Sequence, residues 1–109
     1  MKLNHLKGSG ISSEYLCEIT EELDKASGLG RKEKGWSNYH YIVVDNHSIK
    51  NKCLAIRVHG GTVGSIDINE NNIITNIDID TDYVVKTYND DVKDILNKFI
   101  GTQLEWEIY

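Results

Sequence analysis

The chain has 109 residues, 39% of them hydrophobic, and a formal charge of −5 at pH 7. This length fits one domain with one modest core, and it excludes a two-domain enzyme. The longest apolar runs cover residues 41–44 and 53–56, far short of the roughly 20 residues that a membrane-spanning helix needs. We therefore expect a single domain over 1–109 and no membrane partner.

The first ten residues predict a flexible start and no secretory signal. Residues 1–10 are mostly polar and contain no apolar stretch of the signal-peptide kind. The two cysteines, Cys17 and Cys53, have neither disulfide-framework nor zinc-finger spacing, so we expect free thiols. These features favour a protein of the bacterial cytoplasm, in a host with AT-rich codon usage.

The next segment predicts a helix followed by a loop. From Ile11 to Ala26, apolar residues recur at helical spacing with glutamates between them, and serines precede the pattern. We therefore predict a helix over 12–27. Residues 28–37 are basic and rich in glycine, which is typical of a loop.

The middle of the chain predicts β-strands, because isoleucine, valine and tyrosine alternate with polar residues. Asp45–Ser48 and Asn69–Asn72 predict turns, and Gly60–Gly61 predicts a two-residue hairpin turn. The predicted strands are Tyr39–Val44, Cys53–His59, Thr62–Ile68, Ile73–Ile79 and Tyr83–Tyr88.

The last part of the chain predicts a helix and a final strand. An apolar stripe runs from Val92 to Ile100, and Gly101 follows at the expected C-terminal end of the helix. Apolar and polar residues then alternate over Leu104–Ile108, which is typical of a half-buried strand. The element order α-β-β-β-β-α-β predicts an α+β fold, in which two helices cover one face of an antiparallel sheet of four to six strands.

The sequence offers few candidates for catalysis or metal binding. His59 with Asp45 or Cys53 is the candidate set for a small enzyme, provided that the hairpin brings these residues together. The run Asp67-x-Asn69-x-Asn71 resembles the start of an EF-hand loop, but the glycine and the bidentate glutamate of that motif are missing and the flanks predict strands. The segment 59–65 lacks the lysine of a phosphate loop. We expect no catalytic set, no metal and no cofactor.

Acidic residues concentrate in the second part of the chain. Residues 1–66 have nine bases and seven acids, whereas residues 67–109 have three lysines and ten acids. In 77–82, strand alternation places three aspartates on one face, where like charges repel each other. Such a face is either a solvated edge that discourages aggregation or a surface that meets a basic partner. The predicted partner-binding residues are Asp67, Glu70, Asp78, Asp80, Asp82, Asp90, Asp91 and Asp94, with Tyr83 and Tyr88 as anchors.

In size, acidity, element order and the runs Asp78-x-Asp80-x-Asp82 and Asp90-Asp91-x-x-Asp94, the chain resembles the small anti-CRISPR proteins of phages and mobile elements. The resemblance implies a non-enzymatic inhibitor that binds a CRISPR effector nuclease, with its guide RNA, and blocks DNA binding. The slightly basic first part departs from the most acidic of these inhibitors. An immunity protein that neutralises a toxin nuclease is the alternative. In both, the acidic residues meet a protein, and direct binding to DNA is not expected because phosphates attract lysine and arginine.

Overall fold

The computed structural model describes residues 1–6, 13–27, 40–58, 61–79 and 90–105. Within these ranges, six strands form one antiparallel sheet in which each strand pairs with the next along the chain. The strands are β1 (Asn4–Leu6), β2 (Ser13–Leu16), β3 (His40–Val44), β4 (Cys53–Val58), β5 (Gly61–Ile68) and β6 (Ile74–Ile79). The helices described are α1 (Glu18–Ser27), α2 (Asn46–Asn51) and α3 (Asp90–Asn97). The predicted α+β class is confirmed.

One face of the sheet forms the core together with α1 and α3. Leu54, Ile66 and Ile77 lie opposite one another on β4, β5 and β6, and all three are buried. Helix α1 packs against β3, α3 packs against β6, and the two helices contact each other. Ile19 of α1 and Leu96 of α3 belong to the same apolar cluster as the sheet residues. The predicted packing of these two helices on one face is confirmed.

Backbone hydrogen bonds join the two edges of the sheet at one end. The bridging segment, residues 101–105, lies between the start of β6 and the residues before β1. On one side, the Leu104 N–H donates to the Asn72 carbonyl at 2.8 Å, and on the other the Leu3 N–H donates to the Glu105 carbonyl at 3.0 Å. The sheet therefore curls around the core. We call its two sides the inner face and the outer face.

Residues 1–6, the first part of the segment predicted to be flexible, are paired in the sheet. β1 pairs with β2, Leu3 is buried in the core, and the ring of His5 meets the ring of Tyr15 edge to face with centroids 5.4 Å apart. Residues 1–6 pair with β2 on one side and with residue 105 on the other. This pairing positions the segment, although it is too polar for its sequence pattern to predict a strand. Residues 7–10 lie outside the described ranges.

The predicted helix over 12–27 is correct only for its second part. Ser13–Leu16 is the strand β2, which pairs with β1 and β3, and α1 begins at Glu18. The Thr20 hydroxyl accepts from the Cys17 N–H at 3.0 Å and donates to the Cys17 carbonyl at 2.8 Å, which fixes the helix start. Tyr15 and Ile19 fit both a helical and an alternating pattern, and pairing with neighbouring strands decides between them.

The predicted turn at Asp45–Ser48 is the start of the short helix α2. The Asp45 carboxylate accepts from the Ser48 N–H at 2.6 Å, as an N-cap residue does. Lys52 ends the helix in the left-handed conformation, and its N–H donates to the Ile49 carbonyl at 3.2 Å. A sequence of six residues is too short for helical periodicity to be detected, so the capping aspartate was its main signal.

The strands of the middle region agree with their predicted positions to within one residue wherever they are described. The hairpin turn is shifted, however: Gly61 already belongs to β5 and lies opposite Val58, so the turn is not Gly60–Gly61. The predicted strand Tyr83–Tyr88 lies outside the described ranges, as does the loop predicted at 28–37.

The C-terminal elements agree with the predicted pattern in part. Gly101, predicted to end the last helix, has a positive φ of 92°, but the helix ends at Asn97 and Gly101 lies at the end of the turn that follows. Ile100, predicted to lie on the buried stripe, is 41% exposed because α3 ends at Asn97 and a turn follows. Leu104 is buried, but residues 103–105 form isolated bridges rather than a full strand, and 106–108 lie outside the described ranges.

We predict that Gly64→Ala destabilises the pairing of β5 with β6. A Cβ atom at residue 64 would lie 2.3 Å from the Asp78 carbonyl oxygen, so one strand would have to move. Overpacking of this kind costs about 1 to 3 kcal/mol. Urea unfolding measures the loss. Ser65→Ala is the control, because Ser65 already has a Cβ; equal stability of Gly64→Ala and wild type would contradict the prediction.

Candidate protein-binding face

The outer face consists of the strand residues whose side chains point away from the core. Its middle row crosses all six strands, and its residues lie opposite one another in the register of the sheet. This row is Leu6, Glu14, Val43, Ala55, Ser65 and Asp78. A second row has Tyr41, Arg57 and Thr62, and a third has Cys53, Asp67 and Asn76. Leu6, Val43 and Tyr41 make the β1–β3 side of this face mainly apolar, with Glu14 as its acid, and the β5–β6 side is acidic.

Three of the predicted partner-binding acids lie on the β5–β6 hairpin. Asp67 is half-buried and Asp78 is exposed on the outer face, and Glu70 is exposed in the turn between the strands. None of the three has a Lys, Arg or His within ion-pair distance among the described residues. Within the described ranges, the Asp78 carboxylate accepts from the Asn76 side chain, at 3.0 Å. We call Asp67, Glu70 and Asp78 the acidic hairpin.

The remaining predicted residues do not join the acidic hairpin in the described structure. Asp94 is exposed on α3, which packs on the inner side of the sheet. Asp90 and Asp91 begin the same helix, and their side chains lie outside the described part. The other predicted residues, Asp80, Asp82, Tyr83 and Tyr88, lie outside the described ranges.

Three residues of the outer face are absent from the partner-binding residues predicted from the sequence. Glu14 was assigned to a helix, although β2 places it beside Val43, and it adds an acid from the first part of the chain. Tyr41 and Arg57 lie directly opposite each other on β3 and β4. The alternation of β4 already placed Arg57 on the polar side of that strand, but only the register shows that it shares a face with the acidic hairpin.

Arg57 makes no hydrogen bond with the described residues. Its Nε is shielded from solvent and has no acceptor, and the side chain as a whole is half-buried. A buried donor without an acceptor costs about 1 to 3 kcal/mol. The described residues therefore leave the donors of the Arg57 guanidinium without acceptors.

The two thiols are in surroundings that suppress the thiolate. Burial raises the pKa of Cys53, and the adjacent carboxylate of Asp67 raises it further, while Ser65 acts weakly in the opposite direction. Burial is also the main reason why the pKa of Cys17 is raised. A nucleophilic cysteine needs the opposite shift, because the thiolate is the reactive form.

Of the candidate enzyme set, Asp45 and Cys53 lie at the same end of the neighbouring strands β3 and β4. Val58, the last residue of β4, lies about 16 Å from Cys53 by strand geometry. His59 itself lies outside the described ranges. Asp45 caps α2, and its hydrogen bond from the Ser48 N–H is the main reason why its pKa is lowered.

Asn69, in the run that resembles an EF-hand loop, performs a turn function. Its side-chain oxygen accepts from the N–H groups of Asn71 and Ile73, at 2.9 and 3.1 Å. Strands flank the run on both sides. Throughout the described ranges, no three His, Cys, Asp or Glu side chains are grouped as metal ligands.

A buried pair of ionisable residues connects α1 to β3. The Asp24 carboxylate lies 2.5 Å from Nδ1 of His40 and also accepts from the His40 N–H at 3.1 Å. Both side chains are almost fully buried. One carboxylate oxygen therefore serves two groups of the first residue of β3, which holds the end of α1 against the sheet.

A cleft of about 380 Å³ lies between α1 and α3. Glu18, Glu21 and Glu22 form the wall from α1, and Ile95, Lys98 and Phe99 line the other side. The helix layer is thus acidic as well, but Lys98 and the ion pair of Lys25 with Glu22 place cations among these acids.

No helix in the described ranges is both long and apolar enough to cross a membrane. The chain matches no protein-family model, and searches of curated proteins and of solved structures found no match either.

We predict that Asp67→Asn makes Cys53 more reactive. Removing the charge next to the thiol lowers its pKa, so a larger fraction is thiolate at pH 8 and alkylation by iodoacetamide is severalfold faster. Peptide mass spectrometry measures the rate, with buried Cys17 as the internal reference. Asp78→Asn removes an equal charge from the same face without touching the thiol, and it should leave the rate unchanged. Equal rates for Asp67→Asn and wild type would contradict this assignment.

We also predict that Asp24 and His40 are energetically coupled. Asp24→Ala leaves two buried donors of His40 without their acceptor. The single substitutions at Asp24 and at His40 should each lower the free energy of unfolding by about 1 to 3 kcal/mol. The double substitution should cost less than the sum of the two, because the second change removes groups that are already unpaired. Urea unfolding of the four proteins tests this, and strictly additive costs would show that the pair is not coupled.

Proposed function

We propose that this chain is a non-enzymatic inhibitor that binds the basic, nucleic-acid-binding surface of a nuclease through its outer face. The observation that supports this function is the acidic hairpin. Asp67, Glu70 and Asp78 have no cationic partner among the described residues, and like charges on neighbouring strands cost stability. Such residues are suited to meeting lysine and arginine on another protein, where they raise the association rate and the specificity.

The first target to consider is a single-protein CRISPR effector loaded with guide RNA. Such an effector holds nucleic acid in a positively charged channel. A face that is acidic at one side and mainly apolar at the other can cover part of such a channel and prevent DNA from entering. The protein would act in the cytoplasm of a bacterial host of a phage or mobile element, where the effector acts.

An immunity protein for a toxin nuclease would use the same surface, because both targets bind nucleic acid through basic residues. An enzyme of the His59, Asp45 and Cys53 type is the alternative from a different class. The raised pKa of Cys53 and its separation from the end of β4 that precedes His59 argue against that alternative. A binding test of the proposed function should therefore include toxin nucleases as well as CRISPR effectors.

We expect the double substitution Asp67→Asn and Asp78→Asn to slow association with the target nuclease about tenfold at low salt. The difference should shrink at high salt, because mobile ions screen exposed charges. Biolayer interferometry against guide-loaded effectors and toxin nucleases measures the association rate, and DNA cleavage measures inhibition.

The matched control is Glu18→Gln with Asp94→Asn, which removes the same charge from the helix side of the molecule. This variant should associate and inhibit as the wild type does. Full inhibition at low salt by the Asp67 and Asp78 variant, or its loss in the helix-side variant instead, would show that the acidic hairpin is not the contact.

A further inference from the structure

Arg57 differs in charge from the acids that surround it on the outer face. It is the only cation among the described strand residues of that face, which also has Glu14, Asp67 and Asp78. Its guanidinium has no hydrogen-bond acceptor within the described chain, and none of the acids of the face is within ion-pair distance. The described residues of this face therefore do not neutralise the charge of Arg57.

The neighbours of Arg57 favour a binding role. Tyr41 lies directly opposite on β3 and Thr62 directly opposite on β5, so the three side chains form one row. Arginine and tyrosine are the residue types that most often dominate the energy of a protein interface. A guanidinium presents its donors in a planar fork, which matches the two oxygens of a carboxylate.

We propose that Arg57, with Tyr41 beside it, is the anchor of the outer face and binds a carboxylate of the partner protein. This inference deepens the function proposed above and depends on it for the identity of the face. A nucleic-acid phosphate is the poorer ligand here, because Glu14, Asp67 and Asp78 would repel the rest of a phosphate backbone.

The register gives the spacing that a partner must match. From Arg57 to Asp78 is two strands across and two paired positions along the sheet, about 12 Å. The partner surface therefore places basic side chains over the acidic hairpin and one aspartate or glutamate about 12 Å away. A purely basic patch would leave Arg57 facing like charges, which weakens binding.

A random-peptide display library provides a probe that does not require the natural partner. Selected on the wild-type protein, the library should yield peptides that combine lysine or arginine with at least one aspartate or glutamate. Replacing that acid with alanine in the peptide, or Arg57→Gln in the protein, should each weaken binding about thirtyfold, as expected at an interface hot spot. The two changes together should weaken binding no further.

Three protein variants serve as controls. Arg57→Lys keeps the charge but loses the planar fork, so it should recover only part of the affinity. Thr62→Ala, in the same row, should bind as the wild type does. Circular dichroism of each variant checks that the sheet is intact, and Arg57→Glu should select peptides that have lysine in place of the acid.

The outcomes separate this inference from the proposed function. Peptides that lose binding to the Asp67 and Asp78 variant but not to Arg57→Gln would overturn the anchor and leave the acidic hairpin as the contact. Peptides that need Arg57 alone would support the anchor and count against the acidic hairpin. Failure of the selection to yield any Arg57-dependent peptide, or binding of a single-stranded RNA that Arg57→Gln abolishes, would overturn the inference.

Discussion

The bridging segment sets the constraint on which the rest of the fold depends. Six antiparallel strands in sequential order would leave two open edges and two faces of similar exposure. Residues 101–105 instead pair with the start of β6 on one side and with residues 1–3 on the other. The sheet must then curl, and the side that becomes concave can be filled only by apolar side chains and by the two longer helices. Which residues are buried and which are displayed follows from this closure.

Closure also explains why the outer face displays polar residues without being covered by the described helices. α1 and α3 both contribute to the inner cluster, through Ile19, Leu23 and Leu96. The strand residues of alternate parity therefore point outwards, and the antiparallel register brings residues from distant parts of the chain side by side. Glu14 from the second strand and Asp78 from the sixth belong to one row for this reason. These two acids lie in different parts of the sequence, but in the sheet they lie on the same face.

Much of the fold could be predicted from the sequence where one periodicity had no competitor. Leu54, Ile56 and Val58 alternate cleanly and are buried, and the predicted stripe from Val92 to Ile100 is helical up to Asn97. Prediction failed where a pattern fitted two structures, as at Tyr15 and Leu16, or where an element was too short to have a period, as in α2. Strand alternation correctly predicted that Ile77 and Asp78 lie on opposite faces. The pairs Asp67 with Cys53 and Tyr41 with Arg57 depend on the strand register, which no local sequence pattern encodes.

The distribution of unsatisfied groups favours recognition over catalysis. Among the described residues, buried Asp24 serves two groups of His40, and half-buried Asp45 caps α2. On the outer face, Asp67, Asp78 and Arg57 have no ion-pair partner among the described residues, although acid and base share that face. In a catalytic site, one group shifts the pKa of another so that the reactive form is favoured. Asp67 instead raises the pKa of Cys53, which disfavours the reactive thiolate. Charges that are displayed apart, on a rigid sheet and at a fixed spacing, are suited to being satisfied by a second molecule with the complementary arrangement.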